Sequence, residues 1–317
     1  MSAHHNLRKE TSCLNCGTTV QGKYCSECGQ LNREPKIEIK DLFHDVLHGV
    51  LHFDGKFFQT ARLLLTKPGF LTTEYISGKR AKYLPPVQMY LFTSAIFFFL
   101  LYTFFLKTPT PAENWDSKQN QSINESIKID LNNYNKNIKS VKDYEIQQSK
   151  LPIEKRDGRL KQYFTKQEIE ISKKIEENPK KAFTETVNHF IHSFSSLFFV
   201  SLPIITLWLG LIFFWKKDIN LVGHFIFIIH NYIFDYIVML LNVVLKLPAK
   251  IKGFEFMESL AMLVLIWLLY YGYASMKNFY GLSRRKTLLM FSLTLFGSMV
   301  IFIFLFLIYL FLSLSKI

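Results

Sequence analysis

Residues 221–245 read LVGHFIFIIHNYIFDYIVMLLNVVL: a single acid, no Lys or Arg, and apolar side chains on every face. About 20 such residues are enough for a helix to cross a hydrocarbon core. Working outward, similar runs occur at 87–106, 194–215, 256–273 and 288–312. The expected fold is an all-α polytopic membrane protein with about five transmembrane helices. The chain has 317 residues, 49% of them hydrophobic and 31 of them Phe, and these gather in the runs rather than spreading evenly. Lipid acting as solvent for part of the chain produces that distribution. The net charge of +13 reads first as topology and attraction to anionic lipid. No folded basic, aromatic-interleaved module supports nucleic-acid binding.

All four cysteines fall before residue 30, as Cys13-Leu14-Asn15-Cys16 and Cys25-Ser26-Glu27-Cys28. Each C-x-x-C pair can fill two corners of a tetrahedron, and a hairpin around Gly22-Lys23 brings the pairs together. Gly17 and Gly29 follow the pairs, as tight knuckle turns require. A module this small buries too little to fold alone, so a metal must hold it. The reading is a structural Zn2+ site on Cys13, Cys16, Cys25 and Cys28. Two disulfides and a rubredoxin-like iron site are the alternatives. Residues 1–35 are thus expected to form a zinc ribbon.

Residues 36–86 read as a juxtamembrane amphipathic and basic segment. From Ile37 to Phe53 a helix puts Asp41, His44, Asp45, His48 and His52 on one stripe, with apolar residues around the rest. A second helix is predicted from Lys56 to Thr66, ending before Pro68-Gly69. Both suit the head-group layer. His44, His48 and His52, spaced four apart, are a candidate second metal site or a solvated polar face. Lys79, Arg80 and Lys82, flanked by Tyr75 and Tyr83, read either as a topology anchor or as a head-group contact made by Lys79 and Arg80.

The first span, 87–106, is followed by a polar extracytoplasmic insert at 107–193, whose stretch from Phe164 to Glu177 has helical composition ending at Asn178-Pro179. A four-helix transmembrane region occupies 194–317. The basic clusters at 79–82, 216–217 and 284–286 fall on one side if five spans alternate, which places the N-terminus in the cytoplasm by the positive-inside rule. Lys246, Lys250 and Lys252 lie in a loop on the other side and weaken that inference. No signal peptide precedes the first span.

His224, Asn231, Asp235 and Asn242 follow at i, i+7, i+11 and i+18, within about 20° of one line on a straight helix. An acid at the depth of Asp235 is a functional candidate by default. A hydrogen-bonded packing seam explains the same line. His230 points elsewhere, toward an interhelical contact. Ser292, Thr294, Gly297 and Ser298 form a close-packing face on the last span.

Cys13-x2-Cys16-Gly17, Tyr24-Cys25-x2-Cys28-Gly29-Gln30, Leu65-x2-Pro68-Gly69, Tyr75-x2-Gly78-Lys79-Arg80-x2-Tyr83-x2-Pro86-x3-Tyr90, His224-x5-His230 and Phe279-Tyr280-Gly281-x-Ser283 together carry a resemblance. The chain resembles a family of uncharacterised bacterial membrane proteins with an N-terminal four-cysteine zinc ribbon, a domain of unknown function. The resemblance implies the same architecture and a bacterial inner membrane. It brings no activity and no catalytic residue.

Three functions follow from these features. The first is a membrane-embedded binding or scaffold protein whose cytoplasmic zinc ribbon docks a protein partner, with a homo-oligomer as a further possibility. The second is a small transporter or channel that uses the polar seam. The third is a lipid-processing membrane enzyme that uses the His ladder and Lys79/Arg80. The absence of a catalytic motif weighs against an enzyme.

Overall fold

The computed structural model describes residues 7–35, 56–104, 140–246 and 256–315. Among them the secondary structure is helical, apart from isolated bridges in the cysteine module. In chain order the α-helices are α1 (Lys56–Thr66), α2 (Phe70–Ile76), α3 (Pro86–Phe104), α4 (Val141–Lys150), α5 (Arg159–Glu177), α6 (Pro179–Ile212), α7 (Leu221–Lys246), α8 (Phe256–Tyr280) and α9 (Arg284–Ser315). Five of them, α3 and α6 to α9, are long and apolar enough to cross a membrane, so this is a multi-pass membrane protein.

The described residues divide into two units, 1–101 with 200–301, and 102–199 with 302–317. In the first, α7 is the central helix: 44% of its span is buried, the largest share among the five. Phe234 stacks on Tyr271 of α8 at 3.4 Å, and Phe227 on Phe279 at 5.2 Å. Phe97 of α3 stacks on Tyr236 at 4.8 Å. Ser201 of α6 shares a 2.8 Å hydrogen bond with Tyr232. In a bilayer these aromatic contacts, rather than a hydrophobic drive, hold helix to helix. Helices α6 and α9 meet at Gly297, where an added Cβ would clash with the Trp208 indole. The indole nitrogen donates to the Leu293 carbonyl at 3.3 Å.

The amphipathic helix α1 packs one face on protein. Tyr271 of α8 donates to the Leu64 carbonyl at 2.5 Å, and Leu64 and Thr60 are buried. Gly69 has φ 76, and a Cβ there would meet the Ser275 carbonyl of α8 at 2.7 Å, so the turn between α1 and α2 fits only glycine. Tyr75 and Ile76 of α2 pack on Val222 and Ile226 of α7. Phe58 stays exposed.

Each unit also brings helix ends together. The end of α6, the start of α7, the end of α8 and the segment before α3 meet: Phe213 stacks on Tyr280 at 3.9 Å, and Ile76 lies against Gly223. In the second unit, Phe164 of the insert meets Phe311 near the end of α9, with centroids 5.5 Å apart.

Helix ends differ from the sequence-based expectation in three places, one being the last span, expected at 288–312, whose helix takes in the basic residues and runs Arg284–Ser315. The second span is the end of a longer helix that starts at Pro179. The fourth continues past Tyr273 to Tyr280, because its polar residues Ser275 and Asn278 are used in packing rather than left to a loop: Asn278 donates to the Pro68 carbonyl at 2.9 Å.

Candidate metal centre and its membrane anchor

Two knuckles build the cysteine module. In the first, the Gly17 amide donates to the Cys13 carbonyl and the Cys13 amide to the Thr18 carbonyl, both at 2.9 Å. The second repeats this with Gly29, Cys25 and Gln30. Both glycines have positive φ, 80° and 71°, so the chain reverses inside each knuckle at no steric cost. Bridges pair Ser12 with Thr19 and Tyr24 with Leu31. Cys13, Cys25 and Val20 form the small buried core.

The four ligand sulfurs all lie within 4.8 Å of one another. Cys13 and Cys28 are 3.6 Å apart, and Cys16 and Cys25 3.5 Å. A tetrahedron with metal–sulfur bonds of about 2.3 Å has edges of about 3.8 Å, so the set fits one tetrahedral ion and leaves no open position. Each of the cysteines is free rather than disulfide-bonded. In the metal-free chain, hydrogen bonding to Thr18 holds the exposed Cys16 thiol down to about 6, while burial pushes Cys28 up to about 11. Metal capture therefore displaces protons.

The module is not tethered loosely. The Gln30 side chain donates to the Gly78 carbonyl at 2.8 Å and accepts from the Arg80 and Ala81 amides at 3.0 and 3.1 Å. Arg80 donates to the Pro35 carbonyl at 2.6 Å and lies 5.4 Å over the Tyr75 ring. Gly78 has φ 94, and a Cβ there would sit 2.7 Å from Leu14. Lys79 pairs with Glu74 at 2.7 Å. Tyr83 donates to the same carboxylate at 3.2 Å, and burial followed by the Glu74 charge raises its phenol. Lys79 and Arg80, proposed from sequence as head-group contacts, thus both have partners within the chain. Nothing in the sequence pointed to Gln30 as the anchor; its amide is recognisable only once the turn at 78–81 is seen beside it.

The polar line on α7 separates on inspection. His224 Nδ1 and the Tyr280 hydroxyl share a 2.7 Å hydrogen bond, and Asn242 donates to the Ala261 carbonyl at 2.6 Å, so both join α7 to α8. Asn231 bonds its own helix, donating to Phe227 at 2.7 Å. Asp235 makes no hydrogen bond or ion pair among the described residues, in contrast to the other three. His230 shares a 2.9 Å bond with Thr72 of α2. The His44, His48 and His52 ladder lies outside the described residues.

Against known proteins, residues 54–98 match a family model described as a protein of unknown function (DUF3667). The match covers α1, α2, the Gly78–Ala81 turn and most of α3. No curated protein and no solved structure matches the chain.

Proposed function

We propose that this chain is a membrane-embedded scaffold of the bacterial inner membrane whose N-terminal ribbon, held together by structural Zn2+, faces the cytoplasm and docks a protein partner. Zinc suits a closed four-thiolate set, which offers no position for substrate. The basic residues at 79–82, 216–217 and 284–286 support the cytoplasmic assignment. One observation carries the scaffold reading: Gln30 fastens the cysteine module to the turn at 78–81, while Tyr24 remains 63% exposed. A small module fixed on one side keeps its other face, Tyr24 included, open to a partner. Photo-crosslinking from a benzoyl-phenylalanine at position 24, in cells, tests it. One defined protein adduct that disappears in Cys13→Ser supports the proposal; adducts only to lipid, or none, contradict it.

A second reading rests on Asp235. Its neighbours on the polar line have partners, and it alone has none among the described residues. An intramembrane acid in that position suits a proton or cation site in a small transporter. Loss of ion-coupled flux from proteoliposomes in Asp235→Asn, with zinc content kept, supports it; unchanged flux excludes it.

A further inference from the structure

The insert between the first two spans carries a surface that its own fold does not explain. Helices α4 and α5 are joined through Asp157, whose carboxylate accepts from Tyr144 at 2.8 Å and Gln148 at 3.0 Å and pairs with Lys161 at 2.7 Å. Tyr144 and Thr165 are buried between the helices. With that interior filled, large apolar side chains remain in the open: Ile153 at 83% exposed, Leu160 at 77%, Tyr163 and Phe164 at about half. Leu160, Tyr163 and Phe164 share the N-terminal face of α5 by their spacing of three and four. Ile153 stands in the short 3-10 turn just before.

Two observations name what covers this face. Phe164 already touches Phe311, close to the end of the α9 span at Leu314. The flank of α9 in the same unit is lipid-facing by composition and exposure, with Phe304 and Leu307 open and only 11% of the span buried. The apolar face of α5 is therefore continuous with a lipid-facing surface at the level where the chain leaves the hydrocarbon. The charge around it agrees. Lys150, Lys155 and Arg159 are exposed and form no ion pair among the described residues. Apolar residues flanked by Lys150, Lys155 and Arg159, against the single exposed acid Glu154 beside Ile153, fit a helix lying at a phosphate-bearing interface.

We propose that Ile153, Leu160, Tyr163 and Phe164 are seated in the head-group–acyl boundary of the leaflet in which α9 ends, with Lys155 and Arg159 at the lipid phosphates. The insert is then a membrane-surface element rather than a free domain. It tethers the long connection between the first two spans to the bilayer. This rests on the membrane-spanning reading of α9 and is independent of what the ribbon binds.

The test is fluorine NMR of Leu160→Trp labelled with 5-fluorotryptophan. The full chain is reconstituted in mixed phosphatidylethanolamine and phosphatidylglycerol vesicles, and the added resonance is assigned by its absence from the parent. A nitroxide on the lipid near the head group should broaden it, while an aqueous gadolinium chelate should not. Ile153→Trp should behave alike, which guards against one variant failing to fold. Lys173→Trp, on the opposite face of α5, should respond only to gadolinium. Broadening of Leu160→Trp and Ile153→Trp by gadolinium alone would overturn the proposal. So would resonances blind to both agents, which would mean that a second copy or another segment of the chain covers the face.

Discussion

Gln30 and Gly78, forty-eight residues apart, are joined by a 2.8 Å hydrogen bond, and the same Gln30 amide closes on the two backbone N–H groups that follow at Arg80 and Ala81. One side chain thus satisfies three polar groups of a turn that would otherwise be partly buried without partners. Removing it leaves two amides and a carbonyl to find water, which costs more than the loss of one ordinary hydrogen bond.

Gln30→Ala should weaken the attachment by about 1–3 kcal/mol. Amide exchange at Arg80 and Ala81 should then rise by on the order of 10- to 100-fold, with metal content unchanged. Gly78→Val should act through the other side of the same joint, by straining a backbone at φ 94 and driving Leu14 away. Unaltered exchange in both variants would mean that the contact contributes nothing.

The polar line on α7 should divide by substitution as it divides by contact. His224→Phe and Asn242→Leu each break a bond to α8 and should lower stability in detergent by about 0.6–1.7 kcal/mol. Asp235→Asn breaks no such bond and should leave stability unchanged or raised. Equal losses from all three would show a uniform packing seam. Thermal unfolding followed by circular dichroism measures this.

Gly297 and Gly210 should respond oppositely. Gly297→Leu places bulk where Trp208 already sits and should cost about 1–3 kcal/mol. Gly210→Ala meets the flexible end of Leu221 at 3.2 Å and the His224 ring at an ordinary 4.0 Å, so it should be neutral or gain about 0.4–1 kcal/mol by restricting the unfolded chain. A Gly297→Leu protein as stable as the parent would contradict the close α6–α9 approach.

Acid should loosen the insert before the spans. Bonding to Lys161, then to Tyr144, holds the Asp157 carboxyl below its ordinary value. A depressed acid stabilises the folded form above its unfolded pKa, about 3.9, and that support fades as pH falls through the lower, folded value. Protection of the α4 and α5 amides, taken relative to the intrinsic exchange rate at each pH, should therefore fall below the ordinary carboxylate range. In Asp157→Asn that protection should already be low at neutral pH and flat across that range. A wild-type profile without an acid step there would contradict the role given to Asp157.

Local chemistry was readable in the sequence where it is self-contained. Pro68-Gly69 marks the end of α1, and Asn178-Pro179 the end of α5, because proline and glycine act on their own backbone. The cysteine spacing announces a metal-ready set because four ligands in two pairs need little else. Contacts made at a distance were not readable. The expectation that 256–273 bounds the fourth span treated Ser275, Lys277 and Asn278 as loop residues, yet Asn278 and the Ser275 backbone meet the Pro68-Gly69 turn. Lys79 and Arg80 looked like cations aimed at lipid because Glu74 and Pro35 could not be placed beside them. Asp235 stands out in the sequence as the one acid of its run, but periodicity does not separate it from His224 and Asn242; only their partners do.

Metal analysis combined with exchange at Arg80 and Ala81 addresses the central claim, that a zinc-bound ribbon is fastened to the membrane-proximal turn. The account predicts one equivalent of zinc per chain, lost with Cys13→Ser or a strong chelator, and loss of protection at those two amides when the metal leaves. A second equivalent that vanishes in the His44→Ala/His48→Ala double variant would add a site without touching this claim. Protection at Arg80 and Ala81 that survives complete removal of the metal would contradict it.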